Sequence, residues 1–265
     1  MNELVEIAVI GGSGVYDSQL LTDAKQIKVH TPFGATSDLI TVGTYAGRRV
    51  AFLPRHGATH AHAPHVLPAR ANIWALKQLG VKRILSPSAV GSLQEHIKPG
   101  ELVIVDQFFD WTKGREYTFY NSGQVCHIST AHPFCAELRE IAIESAKQLN
   151  IPSHHQGTTL CIEGPRFSTR AESIFFKEVV KADVIGMTLV PECVLAREME
   201  ICYLSIAAAT DYDAWSDEPV SNQAVLTTMK KNLVSIKKLL ADIIPKIPVE
   251  RAHCKCHEAL KDAMM

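Results

Sequence analysis

An apolar run, Ile206-Ala207-Ala208-Ala209, ends in Thr210-Asp211-Tyr212-Asp213. Two carboxylates this close at the end of a buried run repel each other, and burial penalises their charged forms. One of them can therefore hold a proton near neutral pH. Such a carboxyl is a general acid, a role typically worth about 10²–10⁴-fold in rate. Asp-x-Asp also occurs in turns and caps, where it does no chemistry. Upstream, Glu163-Gly164-Pro165-Arg166-Phe167-Ser168 joins charges, a turn dipeptide, an aromatic ring and a hydroxyl in one short stretch.

Other candidate segments follow strand-like runs. Gly11-Gly12-Ser13-Gly14 is a glycine-rich turn of the kind that lets backbone amides approach an anion, and it reads equally as a plain strand-to-helix turn. Its glycines are wrongly spaced for a dinucleotide fingerprint, and it lacks the Lys-Ser/Thr of a P-loop. Arg55-His56-Gly57 can set two donors on one phosphate. Histidine phosphatases carry the same tripeptide after their first strand, whereas here a hairpin precedes it. His56, His60, His62 and His65 crowd one loop, but no cysteine or carboxylate stands at metal-ligand spacing, so no metal is expected there. Ser88-Ala89-Val90-Gly91-Ser92 has small side chains that allow close backbone approach to a ligand, or make a simple turn.

These segments need a scaffold. Strands are expected over residues 6–10, 39–44, 49–53, 83–86, 102–105, 158–162, 183–187 and 201–208. Helices are expected over 69–79, stopped by Gly80, and over 135–149, closed by Asn150 and Pro152. Further helices are expected over 170–180, 191–199 and 222–244. The last carries Val225, Leu226, Met229, Leu233, Ile236, Leu239 and Leu240 on one side. Strands and helices alternate, which predicts an α/β fold: a single-domain three-layer structure whose central mixed, mostly parallel sheet is covered by helices. The domain spans 1–244, and 245–265 is a C-terminal tail containing Cys-x-Cys.

The bulk numbers exclude other classes. The chain has 265 residues, 27 Lys+Arg against 28 Asp+Glu, and no long basic run, so sequence-independent nucleic-acid binding has little electrostatic support. No apolar stretch reaches the ~18 residues of a membrane span. The acidic start, Met1-Asn2-Glu3-Leu4-Val5-Glu6, does not resemble a signal peptide, and a cytoplasmic location is expected. The seven cysteines are scattered apart from Cys254-Lys255-Cys256. They read as buried thiols of a reducing compartment, or as a few structural disulfides of the kind found inside hyperthermophiles.

Taken in order, several segments closely resemble the methylthioadenosine-cleaving members of the trimeric purine nucleoside phosphorylase family. They are Gly11–Gly14, Thr31-Pro32-Phe33-Gly34, Arg55–Gly57, Ala71-Asn72-Ile73-Trp74-Ala75-Leu76, Glu163–Ser168, Gly186-Met187-Thr188, Val190-Pro191-Glu192 and Thr210–Asp213. The resemblance implies the nucleoside phosphorylase fold. It implies phosphorolysis of 5′-methylthioadenosine to adenine and 5-methylthioribose 1-phosphate, in purine and methionine salvage, with no metal and no organic cofactor. It implies that Ser13, Arg55, His56, Ser88, Ala89 and Thr188 bind phosphate, Ala89 through its backbone. Met187 packs under the ribose and Phe167 against the base. Ser168, Asp211 and Asp213 read the base, and Asp211 is the general acid.

Adenine presents an acceptor at N1 and donors at N6, the reverse of a 6-oxopurine. Carboxylates toward N6 and N7 with a small hydroxyl toward N1 suit the 6-aminopurine. Members that cleave 6-oxopurines carry Glu and Asn where this chain has Ser168 and Asp211. Val225 matches an apolar wall around the 5′ group. Asn222 stands where some relatives have a small apolar residue, which leaves room for adenosine or 5′-deoxyadenosine as further substrates. His127 matches a residue supplied by a neighbouring subunit, so a homotrimer or a homohexamer is expected. In the family's archaeal and some bacterial members a bridged tail pair matching Cys254–Cys256 and a bridge matching Cys135–Cys202 accompany a hexamer made of two trimers. The residues 66–68, Val-Leu-Pro, depart from an Asn-Tyr usual before Arg-Ala-Asn, and Pro68 suits a helix start. A dual-specificity phosphorylase, a 6-oxopurine nucleoside phosphorylase and a nucleoside-binding protein without turnover are the alternatives.

Overall fold

The computed structural model describes residues 5–12, 21–217 and 222–265. Strand β1 (Ile7–Gly11) is buried along its whole length. Its residues divide by period two: Ala8 and Ile10 enter one core, Ile7 and Val9 another. Strand β11 (Cys202–Asp211) does the same, with Tyr203, Ala207 and Ala209 on one side and Cys202, Leu204, Ile206 and Ala208 on the other. A strand covered on both faces reads as a continuous apolar run, because neither face meets water. The first core is closed by helices α1 (Ala69–Gln78) and α4 (Leu189–Glu198), through Ile73, Leu76, Leu195 and Ala196. The second is closed by α2 (Ala136–Gln148) and α5 (Asn222–Lys246), through Leu138, Ala142, Ile236, Leu239 and Ile243. The expected three layers follow from this division.

The remaining strands are β2 (Thr22–Ile27), β3 (Ile40–Tyr45), β4 (Arg48–Pro54), β5 (Arg83–Ser92), β6 (Leu102–Ile104), β7 (Gln107–Trp111), β8 (Ser153–His154), β9 (Thr158–Ile162) and β10 (Val184–Gly186). They join in the order β2-β3-β4-β1-β5-β10-β9-β7, while β11 pairs β5 and β6, and β8 pairs β6. The spine is β5. It runs parallel to β1 and to β11 and ends antiparallel to β10.

Several details differ from the sequence reading. Strand β5 extends to Ser92, well past residue 86, because its ladder with β11 continues from Cys202↔Arg83 to Asp211↔Gly91. Small residues with no strand preference of their own are held extended by that pairing. Strand β2, with residues exposed throughout most of its length, is an edge strand whose sequence TDAKQI has no apolar alternation to reveal it. The helix expected over 170–180 is α3 (Arg170–Phe175) followed by a π-helical turn, Phe176–Val180, which Lys181 ends at φ 56°. Helix α5 runs past residue 244 to Lys246 and takes Pro245 into its last turn. Beyond it, Ile247, Cys256 and Ala263 are buried, and Arg83 Nη2 donates to the Glu250 carbonyl at 2.9 Å. Among the described residues no helix is long and apolar enough to cross a membrane.

Candidate active site

Parallel β5 and β11 carry the site at their C-terminal ends. The β5–β11 register shifts between Ala209 and Asp211, and a bulge of this kind re-aims a side chain. Asp211 Oδ2 lies 2.7 Å from the Thr210 hydroxyl, and Oδ1 accepts the Asp213 N–H at 2.9 Å. Asp213 sits at φ 50°, 4% exposed, and its Oδ2 accepts from Ser173 Oγ at 2.5 Å. Both carboxyls are held above the ordinary range. Burial is the main cause for Asp211, opposed by the bonds from Thr210 and the Asp213 N–H. Burial also leads for Asp213, opposed by Ser173 and the Ala214 N–H and reinforced by the charge of Asp211. Gly91 makes room for the pair: a Cβ there would stand 3.1 Å from Asp211 Oδ1 and 3.2 Å from Asp213 Cβ. The sequence assigned the small residues of 88–92 to ligand approach; at position 91 the demand comes from the carboxylates.

The Glu163–Ser168 segment leaves the end of β9. Glu163 accepts from the N–H groups of Lys113 and Gly114 and from Arg115 Nε at 2.9 Å. Burial would raise its pKa, but these donors override that and bring it down to about 2. Glu163 is thus an anchor. It ties the 113–115 loop to the site, and Arg115 carries the tie onward to the Val190 carbonyl at 2.6 Å. Arg166 closes a fork on Glu172, which with Thr169 forms a capping box at the start of α3. Phe167 and Ser168 project from the turn between these anchors. Ser168 is the weakest of the groups that stabilise the Asp213 carboxylate, and its Oγ is buried without a full hydrogen bond.

Gly164 has φ 67°, and a Cβ would stand 2.6 Å from Met187 Sδ. Gly164→Ala is expected to cost about 1–2 kcal/mol from the left-handed backbone alone. It should also push Met187 out of place, raising KM for the nucleoside. Urea midpoints and initial rates of the variant measure the two effects.

On the other side, β4 delivers Arg55 and His56. Arg55 is 2% exposed. Its Nε and Nη2 each donate to Glu192 at 2.9 Å, Nη2 also reaches Ser86 Oγ at 2.6 Å and the Ile10 carbonyl at 3.1 Å, and Nη1 reaches the Pro87 carbonyl at 3.3 Å. Burial opposes the charge, but Glu192 outweighs it and raises the Arg55 pKa above its ordinary value. The expected fork of donors for phosphate is therefore turned largely onto Glu192, because a buried cation must have a buried anion. The Tyr203 hydroxyl completes the cluster, 2.6 Å from Ser86 Oγ and from Glu192 Oε1.

His56 Nδ1 lies 2.8 Å from the His62 carbonyl, which fixes the proton on Nδ1 and leaves Nε2 an acceptor. Burial, with Arg55 nearby, lowers its pKa from 6.5 to about 4. A buried neutral histidine favours the folded state above pH 6.5. As pH falls from 6.5 to about 4 only the unfolded chain gains the proton, and stability is lost across that window. The loss should be a few kcal/mol at most, on the order of 1.4 per pKa unit. His56→Gln is expected to flatten this part of the pH–stability curve, as read from urea midpoints at pH 7 and pH 5.

Two adjoining cavities receive these groups. One, of about 250 Å³, is lined by Phe167, Ser168, Met187, Asp211, Asp213 and Gly91 among others. The second, of about 580 Å³, is lined by Gly12, Arg55, Ser88, Leu226 and Met229 among others. His56, His60, Ala89, Thr188 and Val225 line both, so the cavities form one cleft. The base and ribose residues named from the sequence thus gather in the first, and Arg55, His56, Ser88, Ala89 and Thr188 in the second. Ser13 and the side chain of Asn222 lie outside the described residues. His127 lines neither cavity. It is exposed, and its N–H donates to the Ala263 carbonyl at 2.8 Å. Pro68 caps α1 and lines a separate small pocket with Phe33 and Arg115, away from both cavities.

Sequence reasoning missed Glu192, Ser86, Tyr203, Ser173, Gly91 in its actual role, Leu226 and Met229. A signal existed for Glu192, since a carboxylate inside the apolar run Leu189–Ala196 must find a buried partner.

The phosphorylase superfamily family model matches residues 6–245. This chain belongs to the phosphorylase superfamily. Within that superfamily it is 56% identical to the S-methyl-5′-thioadenosine phosphorylase of Pyrococcus furiosus over 97% of its own length and 98% of the relative's. It is 53% identical to the same-named protein of Nitrosopumilus maritimus over 99% of each. Its fold superposes on a methylthioadenosine phosphorylase from an antarctic soil metagenomic library with TM-score 0.94 and 43% identity, covering 100% of this chain and 93% of that one. For the methylthioadenosine phosphorylase of Schistosoma mansoni in complex with adenine the values are 0.91, 39%, 97% and 96%. The superfamily's mixed sheet and the helices on its two faces are those expected from the alternation of strands and helices.

Proposed function

We propose that the chain is a pentosyltransferase that cleaves 5′-methylthioadenosine with phosphate, giving adenine and 5-methylthioribose 1-phosphate. The observation that carries this reading is the two-part cleft. One part gathers the residues of a phosphate cradle and the other a partly protonatable carboxyl pair beside an exposed aromatic ring, with Thr188, Ala89 and His56 between them. The names of relatives more than half identical over nearly the whole chain support the same reaction.

In this reading hydrogen phosphate sits near Ser88, Ala89 and Thr188, with Ser13 from the glycine turn. Arg55 supplies positive potential from behind, although Glu192 absorbs most of its donors. A phosphate oxygen attacks C1′ as the bond from C1′ to N9 breaks, and the dianion stabilises the cationic character that C1′ develops. Asp211 gives its proton to N7, so adenine leaves neutral. Hydrogen phosphate loses one proton on becoming the ester, and the neutral Nε2 of His56 is an acceptor for it. Phe167 faces the base, Ser168 and Asp213 read its edge, and Met187 lies under the ribose. The apolar surface of Val225, Leu226 and Met229 suits a methylthio group. Apolar surface favours that group over a 5′-hydroxyl, so adenosine should be the poorer substrate. A 6-oxopurine would bring its N1–H to Ser168, where a carboxylate would be the better acceptor, and the reading disfavours it.

We infer a trimer or a pair of trimers in which His127 completes a neighbour's cleft. Its exposure and its absence from the lining of both cavities of its own subunit support this, and so does the exposed apolar surface of Phe109, Trp111, Phe175 and Val179. The near-neutral charge and the small-molecule reaction fit an enzyme of the cytoplasm. Phosphorolysis is separated from hydrolysis by ³¹P NMR of the reaction mixture: a growing sugar 1-phosphate resonance is expected, and free methylthioribose with unconsumed phosphate would refute the reading.

A further inference from the structure

At the end of β11 opposite the cleft, four cysteines converge. Cys135 caps the N-terminus of α2, and its N–H donates to the Tyr203 carbonyl at 3.0 Å, which fixes it against β11. Cys202 opens β11. Cys254 and Cys256 come from the tail, beside the 3₁₀ turn Cys256–Glu258. All four sulfurs lie within 4.8 Å of one another, with Cys202 and Cys254 at 3.4 Å. Cys135, Cys202 and Cys256 are buried and Cys254 is half-buried, which leaves one approach from solvent. All four are thiols, as are Cys126, Cys161 and Cys193 elsewhere.

A buried cation stands beside these sulfurs. Arg83, 1% exposed, pairs with Cys202 across the β5–β11 ladder. Its guanidinium binds the Val249 and Glu250 carbonyls, Glu137 stands 3.8 Å away, and its Nε has no partner.

We propose that Cys135, Cys202, Cys254 and Cys256 bind one thiophilic divalent cation, zinc by its donor set, which fastens the tail onto α2 and β11. Tetrahedral coordination at about 2.3 Å places sulfurs about 3.8 Å apart, a contraction of about 1 Å at the widest pair. Two of the four sulfurs belong to the tail and can supply it. Each thiol releases its proton to solvent as its bond to the metal forms. Four thiolates and Zn²⁺ carry a net charge of −2, which Arg83 partly offsets. An all-sulfur set excludes magnesium and calcium. The Cys-x-Cys spacing is tighter than the Cys-x₂₋₄-Cys of zinc ribbons, and the turn at Cys256 brings both sulfurs to one side. Two disulfides would use the same atoms but would lose two electrons per bridge to an oxidant.

The full chain, purified anaerobically with a reductant, should carry about one zinc per chain by elemental analysis. Replacing zinc by Co²⁺ should give the thiolate-to-cobalt charge-transfer and tetrahedral ligand-field bands. A Cys254→Ser/Cys256→Ser double variant should lose both signals and unfold at lower temperature, while keeping its initial rate of nucleoside cleavage at 25 °C. A reduced wild-type chain that takes up neither Zn²⁺ nor Co²⁺ overturns the proposal. It does so whether the air-exposed protein then titrates seven thiols in denaturant or fewer because disulfides have formed.

Discussion

Asp211→Asn is expected to lower kcat/KM for methylthioadenosine by about 10²–10⁴-fold, the usual worth of a general acid. The amide can offer N7 a hydrogen bond but no proton, so adenine would depart as an anion. Asn is isosteric, and the Thr210 and Asp213 contacts that hold position 211 have simple substitutes, so the fold should persist. The wild-type pH profile carries the sign of the mechanism. Burial raises the Asp211 pKa, and the active form is the protonated one. Activity should therefore fall as pH rises through that pKa, and the variant should lack this limb. The amide should also admit inosine, whose O6 seeks a donor. Unchanged turnover and specificity would remove Asp211 from the mechanism.

Glu192→Gln is expected to be the most destabilising single change near the cleft. The pair Arg55–Glu192 is 2% and 3% exposed, and Ser86 and Tyr203 are bonded into it. Removing one charge from a buried pair typically costs about 3–5 kcal/mol, because the other is left without its counter-ion. The same change should move Arg55 toward the cleft, so the surviving folded fraction should show an altered KM for phosphate with a smaller change for the nucleoside. The double variant Arg55→Met/Glu192→Leu should recover most of the stability, since apolar replacements often match a buried ion pair. It should remain catalytically poor, because the cleft loses its cation. Chemical denaturation of wild type, Arg55→Met, Glu192→Leu and the double variant completes the cycle. A Glu192→Gln protein as stable as wild type would show that the pair does not hold this wall of the site.

What could be read from the sequence was whatever is local. The apolar run into Asp211, the stops at Gly80 and Asn150, and the periodicity of α5 are each written within a few residues. What could not be read depends on partners distant in the chain. Strand β5 continues past residue 86 because β11 and, at its end, β10 pair with it, and β2 carries no apolar pattern at all. Glu192 takes its meaning from Arg55, which comes far earlier in the chain. Leu226 and Met229 look core-facing by period, yet both line the cleft, and Leu226 is 58% exposed. The cysteines show the limit most plainly. Resemblance pairs Cys135 with Cys202 and Cys254 with Cys256, whereas the structure gathers all four at one point and sets Cys202 3.4 Å from Cys254.

The most direct test is the initial rate of adenine or hypoxanthine release from methylthioadenosine, adenosine and inosine, each with and without phosphate. Cleavage that requires phosphate and is fastest on methylthioadenosine is the predicted result, with adenosine slower because its 5′-hydroxyl meets the apolar surface of Val225, Leu226 and Met229. Release from inosine alone would contradict the assignment of Ser168, Asp211 and Asp213 to an aminopurine, and release that ignores phosphate would contradict the cradle itself.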